Sequence, residues 1–137
     1  MDQPQPGIER DESTGRSGAR TRAHDPGDAI LVPSADIGGH VTHRDAGAAG
    51  LYRLDIHEYP SDPVTFSADL DALAVLAERV RPRLITVGTS LNLAPHPVAE
   101  IRAVADTVGA DVLFDAAHAC GMVAGGCGRT LSTTAPI

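Results

Sequence analysis

The sequence predicts an α/β domain with a mostly parallel sheet and flanking helices, and three observations carry that prediction. Residues 83–87 and 111–114 are short apolar runs separated by one amphipathic helical stretch. Such a strand, helix, strand succession closes by a right-handed crossover into two parallel strands. Aromatic residues make up only 3% of the 137-residue chain and tryptophan is absent, so the core has to be layered from Ala, Val, Leu and Ile. The hydrophobic share of 42% is ordinary for one globular domain of modest size.

Taken in order, residues 1–27 are rich in Pro, Gly, Ser, Asp, Glu and Arg, with almost no apolar residues, and read as a disordered N-terminal arm. Pro26-Gly27 marks a turn, and the apolar run 29–32, stopped by Pro33, reads as the first strand. Residues 36–50 form a loop dense in glycine, histidine and alanine. Gly38 and Gly39 let the backbone approach a flat ligand, over which His40 would stack its ring; a plain surface loop is the competing reading. Residues 51–59 alternate loosely as a second strand, stopped by Pro60, Asp62 and Pro63.

Ser67 is a natural helix cap, and Leu70, Leu73, Leu76, Ala77 and Val80 recur at helical spacing, which predicts a helix over 68–81 ended by Pro82. Asp69 and Asp71 fall in its first turn and Arg79 and Arg81 in its last, the polarity favoured by the helix dipole. The strand 83–87 leads into Gly88-Thr89-Ser90-Leu91-Asn92. Pro97 suits the first turn of the next helix, whose apolar side is Val98, Ile101, Val104, Ala105 and Val108 and whose stop is Gly109. The strand 111–114 follows at once and ends in Asp115.

Charge and composition exclude several function classes. A net charge of -7 argues against a nucleic-acid partner, which needs clustered positive charge. No apolar run approaches the roughly 20 residues that span a bilayer. The polar N-terminus lacks the apolar core of a signal peptide, so the cytoplasm is the expected compartment. Cys120 and Cys127 match no zinc spacing and are expected as free thiols. His40 and His43 form an H-x-x-H pair without a carboxylate or thiol to complete a metal set, so no metal site is expected. All eleven Lys+Arg residues are arginines, so these residues offer no lysine amine for covalent catalysis.

The chemistry concentrates in DVLFDAAHACGMVAGG, residues 111–126. Asp115 stands where an apolar strand stops, and parallel topology puts it on the same sheet edge as Ser90, the edge where open α/β folds bind ligands. There Asp115 can meet a cationic ring nitrogen with His118 beside it. Alternatively Asp115 caps the following helix and His118 is a satisfied polar residue.

PGDAILVPSADIGGHVTH, RLITVGTSLNL and DVLFDAAHACGMVAGG together resemble the large domain of serine hydroxymethyltransferase over about residues 25–126. The resemblance implies a partial pyridoxal-phosphate-dependent transferase fold of the aspartate aminotransferase type, with residues 28–126 as the domain fragment. It also implies the cofactor pyridoxal 5'-phosphate, an amino-acid substrate, and interconversion of serine and glycine in one-carbon metabolism. His40 matches the histidine stacked on the cofactor ring, and Ser90 the serine of the G-x-S loop near the phenolic oxygen. Asp115 matches the aspartate paired with the pyridinium nitrogen, and His118 the histidine near the phenolic oxygen.

The departures are informative. GRSGARTRAH does not match the family's phosphate-binding segment, and Arg44-Asp45 follows His43 where the family usually reads H-G-S. SLNLAPHP replaces a serine- and tyrosine-containing loop, which puts tetrahydrofolate use in question and brings a related aldolase or transaldolase into view. A threonine aldolase-like or desulfurase-like branch fits GGHVTH less well, and no G-x-G-x-x-G turn supports a nucleotide-binding domain. A fragment without the Schiff-base lysine is expected to be inactive alone. The other reading is a non-catalytic module that associates with itself or with a full-length homologue.

The family continues past this point through a VYPNP-like segment to a loop ending in His-Lys, whereas residues 127–137 read CGRTLSTTAPI. Common codons for this tail, shifted in frame, permit V-W-P-N-P-L-D-H-G-A-D, so the tail is expected to be frameshifted or interrupted. Sequencing the gene checks this. The alternative frame beyond the stop is expected to encode a T-x-x-T-H-K-like segment, and its absence there removes the idea.

Overall fold

A computed structural model describes residues 25–91 and 95–125; the predicted arm apart from residues 25–27, and the tail at 127–137, lie outside the described residues. Asp25, Pro26 and Gly27 form the expected turn, closed by the Asp28 N–H on the Asp25 carbonyl at 3.0 Å. The chain then runs β1 (Ala29–Pro33), two single 3-10 turns (Ala35–Ile37 and Val41–His43), α1 (Ala48–Leu51) and β2 (Asp55–Tyr59). A short hairpin, β3 (Ser61–Asp62) and β4 (Ser67–Ala68), leads into α2 (Leu70–Val80). After it come β5 (Leu84–Val87), α3 (Val98–Val108), β6 (Asp111–Phe114) and α4 (Cys120–Ala124).

β2, β1, β5 and β6 make one four-stranded, wholly parallel sheet in that order. Side chains alternate across a strand, so the register sorts the sheet into two faces. Leu31, Ile85 and Val87 join Tyr59 beneath Leu73, Leu76 and Ala77 of α2 and Ile101 and Ala105 of α3, all buried. Ile30 and Val32 point the other way, onto Ala49 of α1 with Leu54, Ile56 and Leu84 around them. The aliphatic layering expected from the composition is what forms.

Four parts of the chain differ from the sequence reading. Residues 51–54 are not strand: the Leu51 and Tyr52 N–H groups bond back to Gly47 and Ala48, and Arg53 takes φ 55°, so β2 begins at Asp55. The 36–50 stretch is not plain loop, because its small residues wind into two 3-10 turns and α1. Ser67 does not cap α2. Ser67 and Ala68 pair with β3, and Asp69 Oδ1 caps the helix by accepting from the Ala72 N–H at 3.0 Å. Arg81, expected as helical, is the left-handed C-cap at φ 53°.

Pro33 ends β1 for a visible reason. It has no N–H to offer; the β1–β5 ladder ends at Leu31, and the Thr86 carbonyl accepts from the buried Tyr59 hydroxyl at 3.1 Å. Burial pushes the Tyr59 hydroxyl up from its ordinary range, so it remains a donor.

Two residues of α2 test the layering. Leu73→Ala, in the fully buried row, is expected to lower unfolding free energy by about 2–5 kcal/mol. Val75→Ala, on the exposed face of the same helix, should change it by no more than about 0.5 kcal/mol, both read from urea denaturation.

Candidate functional site

The carboxyl edge of the sheet gathers the loop after β1, the loop after β5 and the turn after β6. Val87 and Phe114 are cross-strand neighbours, and the ladder continues through the Asp115 N–H onto the Val87 carbonyl at 2.7 Å. Gly88 follows at φ 110°, and a Cβ there would lie 2.3 Å from the Asp115 carbonyl oxygen. Only glycine suits both that dihedral and that approach.

Asp115 is therefore fixed by its backbone before its side chain makes any contact. Its Oδ1 accepts from the Ala117 N–H at 3.0 Å and its Oδ2 faces His43 Nε2 at 3.2 Å. Asp115 thus caps the turn that follows it, and α4 has no side-chain cap of its own. Each carboxylate oxygen has two acceptor directions, so both retain one, and the side chain is 26% exposed. A cationic ring N–H has a route to it.

His40 ends the tight Gly38-Gly39 approach, in which a Cβ at Gly39 would lie 2.4 Å from the Pro33 carbonyl. Its Nδ1 contacts the Thr42 hydroxyl at 2.7 Å and accepts from the Thr42 N–H at 3.3 Å, so the ring is held as the cap of its 3-10 turn. The His118 ring lies 5.6 Å from it, centroid to centroid, tilted by 51°. Ser90 is exposed, and its N–H donates to the Gly38 carbonyl at 2.9 Å, tying the β5 loop to the His40 loop. His40, Ser90, Asp115 and His118 thus share one edge; the direct side-chain contacts join His40 to His118 and Asp115 to a different histidine.

That histidine, His43, is the residue sequence reasoning missed. It is 7% exposed, with Nε2 on Asp115 and Nδ1 3.4 Å from the hydroxyl of the buried Thr86 in β5. Burial lowers its pKa, with the electrostatic influence of the neighbouring His40 and Arg44 adding to that effect and Asp115 opposing it. Its signal in the sequence was the second position of H-x-x-H. The spacing of three is one 3-10 turn, which makes it a neighbour of His40. Among the described residues no group of three His, Cys, Asp or Glu side chains is placed to hold a metal.

Arg44 fastens the loop. Its Nη2 donates to the Pro33 carbonyl at 2.9 Å and its Nη1 pairs with Glu58, whose Oε2 accepts from the Ala35 N–H at 3.4 Å. The hydrogen bond from Arg44 holds the Glu58 carboxyl below its usual range. Cys120 is an exposed free thiol, and no helix among the described residues is long and apolar enough to cross a membrane.

Comparison with known proteins identifies the family. The family described as Serine hydroxymethyltransferase matches residues 20–133. An alpha-methylserine aldolase from Variovorax paradoxus is 63% identical over 100 residues, which are 73% of this chain and 23% of that protein. One from Ralstonia sp is 52% identical over the same shares. A serine hydroxymethyltransferase from Thermococcus onnurineus is 44% identical over 100 residues, again 73% of this chain and 23% of the relative. The match therefore spans about a quarter of the length of these relatives.

The lowered His43 pKa has a consequence for stability. The unfolded chain takes up that proton at the ordinary 6.5, the folded chain only at lower pH. Between the two values the unfolded state binds more protons, so stability is full above 6.5 and falls as pH drops through that window. His96, shifted down by burial beside Phe114, acts in the same direction. Urea midpoints are expected to be lower at about pH 5.5 than at about pH 7.5, with most of the difference abolished in the double variant His43→Asn, His96→Asn.

Proposed function

The chain belongs to the serine hydroxymethyltransferase family, and from that premise we propose that it supplies the ring-binding edge of a pyridoxal-phosphate site in an aldolase-type branch. The carrying observation is Asp115: a partly exposed carboxylate, fixed by Gly88, backed by His43 and open on each oxygen. Asp115 would hold the pyridine nitrogen, with His40 and His118 at the ring and Ser90 near its phenolic oxygen. When bound, the cofactor supplies an electron sink for negative charge at the α-carbon of an amino acid.

The chain's own residues do the positioning. The Asp115 carboxylate favours a protonated ring nitrogen. His43 keeps that carboxylate turned into place, and the Thr42 contacts stop the His40 ring from rotating. The aldolase branch is favoured by the identities, 52–63% to alpha-methylserine aldolases against 41–44% to serine hydroxymethyltransferases. The substrate class we assign is accordingly a β-hydroxy-α-amino acid with a substituted α-carbon, cleaved between Cα and Cβ without tetrahydrofolate. The compartment we assign is the cytoplasm.

These 137 residues contain no lysine, so an amine for covalent attachment of the cofactor has to come from outside them. A second reading is that the chain is a non-catalytic module that associates with itself or with a lysine-bearing homologue. Co-elution with an intact alpha-methylserine aldolase tests that association.

A spectroscopic titration of the folded chain with pyridoxal phosphate tests the first reading. Saturable binding is expected, weakened about tenfold or more by Asp115→Ala as a charge-assisted hydrogen bond is lost. Borohydride reduction should attach cofactor to no side chain, any labelling being confined to the terminal amine. Binding that Asp115→Ala leaves unchanged would remove Asp115 from the role.

A further inference from the structure

The His43–Asp115 contact engages only one imidazole nitrogen. A carboxylate can only accept, so His43 has to present Nε2–H toward Asp115 Oδ2 at 3.2 Å. In the neutral ring Nδ1 is then a bare acceptor, turned toward the sheet in a residue 7% exposed. A buried acceptor without a donor is costly, and Thr86 Oγ1 lies 3.4 Å away on β5.

The same hydroxyl has a second partner, the Leu31 carbonyl of β1 at 3.5 Å. A hydroxyl is one donor and two acceptor directions on a free rotor. With His43 neutral, the Thr86 proton points to Nδ1. With His43 protonated, Nδ1–H donates to Oγ1 and the Thr86 proton turns to Leu31. No proton is transferred; one rotation serves both states.

We propose that Thr86 is a positioning residue that satisfies His43 Nδ1 in either protonation state, so that His43 keeps its hold on Asp115 whichever state it is in. The charged and titratable groups around His43 leave this task to the hydroxyl. Asp115 comes from the end of β6 and takes Nε2, while His40 and Arg44 come from the same loop. His40 is occupied by Thr42, and the Arg44 guanidinium by Pro33 and Glu58. The direction of the His43 shift agrees with a ring that is neutral near pH 7. The bearing of Thr86 on a pyridine ring rests on the function proposed above; its bond to His43 does not.

The test is nitrogen-detected NMR of the imidazoles in the cofactor-free chain, with circular dichroism to confirm folding. Wild-type His43 is expected as the Nε2–H tautomer. Thr86→Val keeps shape and burial but offers neither donor nor acceptor, so the buried imidazolium loses its oxygen. The imidazolium loses a charge-assisted bond and the neutral ring only an ordinary one, so the His43 midpoint should fall by about half a pH unit, and Thr86→Ser should restore it.

A purely structural threonine would lower the melting temperature and leave the midpoint in place. The proposal is overturned if neutral wild-type His43 is the Nδ1–H tautomer, or if Thr86→Val titrates as wild type does. Thr86→Ala carries the same comparison should the valine variant not fold. Failure of pyridoxal phosphate to bind, with the Thr86 effect intact, would sink the proposed function and leave this inference standing.

Discussion

How closely the end of β6 approaches β5 decides whether the rest of the edge exists. The Asp115 N–H reaches the Val87 carbonyl at 2.7 Å, and the next residue on β5 is a glycine whose missing Cβ leaves room for the Asp115 carbonyl. Splaying the strand ends by about 1 Å would carry the 3.2 Å Asp115–His43 contact beyond hydrogen-bonding range. The carboxylate would then be oriented by the turn at Ala117 alone. A single backbone position, Gly88, thus links sheet geometry to the direction of an acid.

The charge state of His43 determines what that acid can do. A carboxylate at 3.2 Å would ordinarily raise an imidazole's pKa, yet burial outweighs it and the net shift is downward. Desolvating an ion can exceed the attraction of its partner, and here it does. The pair is therefore a neutral donor on a carboxylate instead of an ion pair. In the proposed role this matters: a neutral His43 orients Asp115 without competing, as a cation, for the charge a protonated ring nitrogen needs.

The parts of the fold that were legible in the sequence are those with a period or a terminator. β5, α3 and β6 carry apolar repeats bounded by Pro82, Pro97 and Gly109, and their bounds follow those signals closely. The 36–50 stretch has neither, because 3-10 turns of Gly, Ala and His are set by local backbone bonds and leave no apolar stripe. Ser67 lost the α2 cap to Asp69 because the hairpin claimed its backbone first. Asp115 was visible as an acid ending an apolar strand. Its partner was not: His43 lies 72 residues earlier, and no spacing rule connects them.

Arg44 shows how a local departure from the family pattern can still hold the site. Where the family usually has a glycine, this chain carries a planar fork that spans the ends of two strands, with one nitrogen on the Pro33 carbonyl and another on Glu58. Arg44 is 22% exposed but Glu58 is 46% exposed, so the pair serves more by its geometry than by its charge. A lysine could not make both contacts with the same directional fit. The flanking residues gain from it, since His43 immediately precedes Arg44 and Glu58 also receives the Ala35 N–H at the start of the same loop. Fastened at both ends, the short span between Ala35 and Arg44 keeps His40 at the carboxyl edge of the sheet and His43 beside Asp115. The change that interrupts the family motif is, in this fold, the one that secures the loop carrying both histidines.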